Sequence, residues 1–97
     1  MVKDLENEFI GIGDTNGFKF TKLASTDKGF LYSVDVGEGK LHYEIFNKKI
    51  VPICLDFEKK IFSETEFKYT YPKSEAFGSW AWCIQDYDKA LEKFNNL

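Results

Sequence analysis

Phe18, Phe20, Phe30, Tyr32, Val34 and Val36 fall at every second position on either side of Asp27-Lys28-Gly29. In an extended chain alternate side chains share a face, so this spacing demands two antiparallel strands with one aromatic, buried side. A one-residue error would turn every one of those rings toward water. With Gly29 in a left-handed position, a three-residue loop pairs Thr26 with Phe30, Lys22 with Val34 and Phe20 with Val36. All six apolar side chains then lie on one face.

The neighbouring segments extend the pattern. Glu8–Ile12 reads as a strand, joined to the next by Asn16-Gly17, a pair suited to the positive φ of a hairpin turn. Gly37-Glu38 predicts a two-residue turn that pairs Val34 with Leu41 and Tyr32 with Tyr43. A four-residue loop moves the partners by two but keeps the faces, so Leu41, Tyr43 and Ile45 join the core side in either case. Val51–Phe57 alternates, but Pro52 has no N–H and confines it to an edge strand or an irregular segment. Glu58-Lys59-Lys60 reads as an exposed turn, Glu66–Tyr71 and Ser79–Ile84 as strands, and Lys73–Gly78 as a loop. Asp86 is a good helix N-cap. Tyr87, Ala90, Leu91 and Phe94 form one apolar helical stripe, expected to lie across the aromatic face.

The predicted fold class is therefore α+β: an antiparallel meander of five to six strands with one C-terminal helix packed on one face. Residues 1–7 read as a flexible N-terminal tail, and residues 8–97 as a single domain. The chain has 97 residues, which suits one domain. Its longest apolar runs fall far short of the roughly 20 residues of a membrane span. No apolar leader follows Met1, so a cytoplasmic setting is expected.

Composition narrows the function. All 13 basic residues are lysine, and the net charge is −3. Arginine is the residue that grips phosphate and guanine edges bidentately, so no nucleic-acid partner is expected. The Lys-, Phe- and Tyr-rich, arginine-free composition suits an AT-rich genome, bacterial or phage. Cys54 and Cys83 are far apart, and His42 is the one histidine, so no zinc spacing is present and neither metal nor cofactor is expected. The two cysteines read as reduced, buried thiols.

Four features carry candidate chemistry. The Gly11–Gly17 stretch lacks both the helix and the lysine of a phosphate loop, and the closing carboxylate of a calcium loop. Ser33, Asp35, His42 and Glu44 are expected together on the face away from the helix. They could support acid–base work, although cross-strand polar pairs on a wet sheet face account for them more simply. Tyr69, Tyr71, Trp80 and Trp82 read as core filling, leaving Phe77 in its loop free for a partner. Finally, Ile10, Ile12, Leu23, Leu31, Phe46, Ala81 and Cys83 share the second face. Their cover would be residues 47–63, strong curling of the sheet or another chain, unless a bulge near Leu23 changes the parity.

That second face makes a protein-interaction module the leading expectation, acting through a protein partner or as a homodimer, with Leu31, Phe46, Phe77 and His42 as candidate binding residues. The alternative is a small-molecule-binding protein or minor enzyme built on His42, Asp35 and Glu44.

Overall fold

The computed structural model describes residues 2–11 and 16–97. Ile12, Gly13, Asp14 and Thr15, and with them the centre of the Gly11–Gly17 stretch, lie outside the described residues. The elements in chain order are β1 (Val2–Lys3), β2 (Glu8–Ile10), β3 (Lys19–Ser25), β4 (Gly29–Gly37), β5 (Lys40–Asn47), β6 (Ile50–Asp56), β7 (Ile61–Tyr69), β8 (Ala81–Ile84) and α1 (Tyr87–Asn95). The α+β class holds. The strands form two sheets rather than one meander: a five-stranded sheet ordered β2-β3-β4-β5-β8 and a three-stranded sheet ordered β1-β7-β6. The hairpin β6–β7 leaves the main sheet, and β8 returns to occupy the edge of β5.

Two irregularities set the faces of the main sheet. Between β3 and β4 the register shifts at Leu23, with Lys22 opposite Tyr32 but Ala24 opposite Leu31. The turn there is one residue tighter than expected, because Thr26 N–H donates to the Gly29 carbonyl at 3.0 Å. Turn and bulge together put Phe20 opposite Val34 and keep the six aromatic-face residues together. Gly29 is an extended strand residue and not among the positive-φ glycines. Its requirement is space: a Cβ there would overlap the Phe46 carbonyl and the Leu97 side chain.

The second irregularity lies between β4 and β5. The turn is Glu38-Gly39, with φ of 57° and 74°, a pair of positive values that suits a type I′ turn. A bulge between Asp35 and Gly37 precedes it, and the Asp35 carboxylate accepts the Gly37 N–H at 2.9 Å. Val34 therefore pairs with His42, Tyr32 with Glu44 and Phe30 with Phe46. This is one residue from the expected register, so the faces of β5 exchange: His42, Glu44 and Phe46 join the aromatic side, and Leu41, Tyr43 and Ile45 take the other.

The exchange explains where the helix goes. Leu31, Ile45, Tyr43, Ile84 and Ala24 form an apolar floor on the reverse face, and α1 lays Ala90, Leu91 and Phe94 on it. The helix therefore covers the face that was expected to lie open, not the aromatic one. Its start is as predicted, with the Asp86 side chain accepting the Asp88 N–H at 3.1 Å. Trp82 of β8 receives the Lys93 ammonium from the helix at 3.9 Å from its ring centre.

The aromatic face has a different roof. Phe20, Phe30, Tyr32, Val34 and Phe46 are covered by Tyr69, Tyr71, Phe77 and Trp80, and by Leu5 and Phe9 from the N-terminal side. Tyr71 meets four rings edge-on, Phe9, Phe20, Tyr32 and Phe46, at 4.7–5.5 Å between centres. The Lys48 ammonium sits over both Phe30 and Tyr69, at 4.9 and 4.8 Å, and ties the base of the second sheet to the core.

Residues 2–7, read from the sequence as a tail, are docked. Val2 and Lys3 pair in parallel with Phe67 and Lys68. Tyr32 donates its hydroxyl to the Glu6 carbonyl at 2.6 Å, and the Lys22 ammonium reaches the Leu5 carbonyl at 2.8 Å and the Asp4 carboxylate at 3.1 Å. Burial would raise the Asp4 carboxyl, but Lys22 and the Leu5 N–H hold it below its ordinary value. These polar contacts, two of them partly buried, anchor the segment where its sequence offers few apolar residues.

The β6–β7 hairpin forms an arm. Pro52 sits in β6, the outer strand, as its missing N–H requires. A large bulge bends β7 between the pairs Pro52–Phe67 and Cys54–Phe62. The nearly buried Ser63 holds it, its hydroxyl oxygen accepting from the N–H groups of Thr65 and Glu66 at 3.2 and 2.9 Å.

Leu31→Asp places an unpaired carboxylate beneath the helix, and a buried charge without a partner is not tolerated. The variant is expected to lose its cooperative thermal transition in circular dichroism rather than remain folded. Gly29→Ala is expected to lower unfolding free energy in urea by about 1–3 kcal/mol, the cost of overpacking where backbone must yield.

Candidate functional site

The exchanged register of β5 builds a polar site inside an aromatic one. His42 and Glu44 are two apart on one strand and so point the same way, and Cys83 of β8 lies directly opposite Glu44. The Glu44 side chain is only 13% exposed and that of His42 22%. A carboxylate this covered needs partners, and it has two. Tyr71 donates its hydroxyl to Oε1 at 2.6 Å, and His42 Nε2 lies 2.9 Å from Oε2. Burial pushes the Tyr71 phenol far above its ordinary value, and the adjacent Glu44 charge pushes further, so Tyr71 stays a donor. Burial and Glu44 also raise the Cys83 thiol. Among the described residues no buried side-chain nitrogen or oxygen lacks a hydrogen-bond partner.

One donor atom from each of His42, Glu44 and Cys83 lies within 4.8 Å of the other two. The set contains a nitrogen, an oxygen and a sulfur. Sequence spacing could not reveal it, because the third member comes from a strand whose neighbour is decided by the departure of β6 and β7.

Glu44 also opens toward a groove of about 950 Å³ that runs between the N-terminal segment and residues 68–77. Leu5, Phe9, Phe20, Tyr71 and Phe77 give it apolar walls, and Lys3, Asp4, Lys68 and Lys73 give it a charged rim.

The expected site residues are dispersed. Leu31 is buried beneath the helix and Phe46 beneath the aromatic roof, on opposite faces, so neither is open to a partner. Phe77 is half-buried in the groove wall and not free in a loop. His42 joins Glu44 and Tyr71, whereas Ser33 and Asp35 fall by strand alternation on the helix side. The expected cluster of Ser33, Asp35, His42 and Glu44 is thus split by the sheet. Of the rest of the expected second face, Ala81 packs in the aromatic core, while Ile10 and Leu23 are exposed. Both cysteines are free and exposed rather than buried, Cys54 on the arm and Cys83 on an edge strand.

The sequence reading missed the end of the arm. Leu55 and Phe57 on one side of the turn, and Ile61 and Phe62 on the other, are exposed by 62%, 88%, 47% and 51%. Register places Cys54 opposite Phe62 and Asp56 opposite Ile61, so Leu55 and Phe57 on the strand leading in, and Ile61 and Phe62 on the strand leading out, all lie near one end of the hairpin. The signal was present in Leu55-Asp56-Phe57 and Ile61-Phe62, apolar residues flanking a charged turn. Residues 47–63, which contain it, are one of the possible covers that the sequence offers for the second face of the main sheet.

No family model, curated protein or solved structure matches the chain. Among the described residues no helix is long and apolar enough to cross a membrane.

Tyr71→Phe keeps the ring and removes the hydrogen bond to Glu44. Leaving a covered carboxylate oxygen unpaired is expected to lower stability by about 1–3 kcal/mol in urea denaturation, with the native near-ultraviolet dichroism retained.

Proposed function

We propose that the chain is a protein-interaction module, that the tip of the β6–β7 arm is its contact element, and that its partner there is a second copy of the chain. The observation that carries this reading is the exposure of four large apolar side chains near one end of the hairpin, Leu55, Phe57, Ile61 and Phe62, led by Phe57 at 88%. Exposed apolar groups of this size on a projecting element are a common mark of association. A two-stranded ribbon is also only marginally stable alone, so an outside contact suits it. The same tip carries Asp56 and Glu58 beside Lys59 and Lys60. A patch with both charge signs complements itself across a two-fold axis. Two free, exposed cysteines favour a reducing compartment, and we place the protein in the cytoplasm.

The apolar area on offer is on the order of a few hundred Å², below the ~800 Å² per partner of a standard interface, so the dimer is a weak one. Sedimentation velocity over a wide concentration range is expected to give a reversible monomer–dimer equilibrium. Phe57→Ser is expected to weaken it by about 2 kcal/mol, some thirtyfold. A wild-type chain that stays monomeric at millimolar concentration, or a Phe57→Ser variant that dimerises as before, would refute the second copy as partner.

A second reading, a small-molecule-binding protein, is favoured by the groove beside Glu44. Its size and apolar walls, with the largely covered Glu44 carboxylate among them, suit a ligand pocket.

A further inference from the structure

We propose that His42, Glu44 and Cys83 form a binding site for a divalent transition metal ion of zinc type, held on the aromatic face at the β5–β8 edge. Their donor atoms already lie within 4.8 Å of one another. In a tetrahedral site with bonds of about 2.0–2.3 Å, neighbouring ligand atoms stand roughly 3.3–3.8 Å apart. The separation of 2.9 Å between His42 Nε2 and Glu44 Oε2 needs only a slight opening to admit an ion. The remaining closure falls on Cys83, an exposed residue of an edge strand.

The fold supplies what such a site requires. Residues two apart on one strand, with a third directly across on the next, present three ligands from one rigid surface. Tyr71 bonds to Oε1 and leaves Oε2 toward His42, so the carboxylate is already turned. An outer hydrogen bond of this kind orients a ligand and raises its affinity. The donor set selects the ion. Imidazole and thiolate favour zinc or cobalt over calcium or magnesium, which take oxygen ligands. On binding, the Cys83 thiol gives its proton to solvent and the sulfur bonds as thiolate. Three protein ligands leave a fourth position for water. An ion pair between protonated His42 and Glu44 would explain their contact, but not the sulfur placed beside them.

The site is tested on the full chain, under reducing conditions, with cobalt(II) as a spectroscopic probe and zinc as competitor. One equivalent of cobalt is expected to give a thiolate-to-metal charge-transfer band that zinc abolishes. Cys83→Ser is expected to remove the band and weaken zinc binding by at least about 100-fold in calorimetry, with His42→Ala doing the same. Both positions are partly or largely exposed, and circular dichroism checks that the variants fold. Cys54→Ser, on the arm, is expected to keep the band and the affinity. Tyr71→Phe is expected to keep the band and lose about tenfold in affinity. The absence of a thiolate band in the wild-type chain would overturn the proposal. So would a band that survives Cys83→Ser, or one lost equally in Cys54→Ser.

Discussion

The pairing of β4 with β5 is the constraint on which the rest of the molecule depends. A bulge at Val36 and a tight turn at Glu38-Gly39 place Phe46 opposite Phe30. From that pairing follow both cores. One face of the sheet gains Phe46 and becomes the aromatic layer roofed by Tyr69, Tyr71 and Trp80. The other gains Tyr43 and Ile45 and becomes the aliphatic floor for α1. Had the strand slipped by one residue, Phe46 and Glu44 would both face the helix, and Ile45 would stand among the rings. A central strand buried on both sides leaves no neutral alternative, which is why two short irregularities can fix a whole architecture.

The same pairing makes the polar site. Glu44 is the one carboxylate carried into the aromatic layer by β5, and its two oxygens are taken by Tyr71 and His42. Tyr71 thereby has two tasks. Its ring closes the core against Phe9, Phe20, Tyr32 and Phe46, and its hydroxyl stabilises the acid at the layer's edge. Packing and electrostatics are coupled through one side chain, so Glu44 is held by the same ring that closes the core.

Much of this was legible in the sequence where a local rule and a tertiary demand agree. The strands of residues 18–36, their common aromatic face, the Asp86 cap and the apolar stripe of the helix are all local patterns, and all are present. Pro52 restricts β6 to an edge strand or an irregular segment, and the first of these is what forms. What was not legible depends on parity and on long-range choice. Gly37, Glu38 and Gly39 allow several turns, and those turns differ in which side of the strand faces in. The route of β6 and β7 away from the main sheet has no local mark, yet it decides that β8 lies beside β5 and that Cys83 meets Glu44. For the same reason the candidate site is legible only in part: alternation puts His42 and Glu44 on one face, but the expected parity of β5 groups them with Ser33 and Asp35, and Cys83 reads as a buried thiol.

Pro52 has a further consequence. An outer strand ordinarily offers an unbroken row of amides to any extended peptide that comes alongside, and in that way one sheet can seed the growth of the next. At Pro52 that row is interrupted, since a proline has no amide hydrogen to donate. The arm can therefore display greasy side chains at its end while its flank resists continuous lamination into fibrils. Recognition by shape is kept separate from indiscriminate stacking of backbones, and a small chain can hold apolar groups in water without becoming a template for its own precipitation.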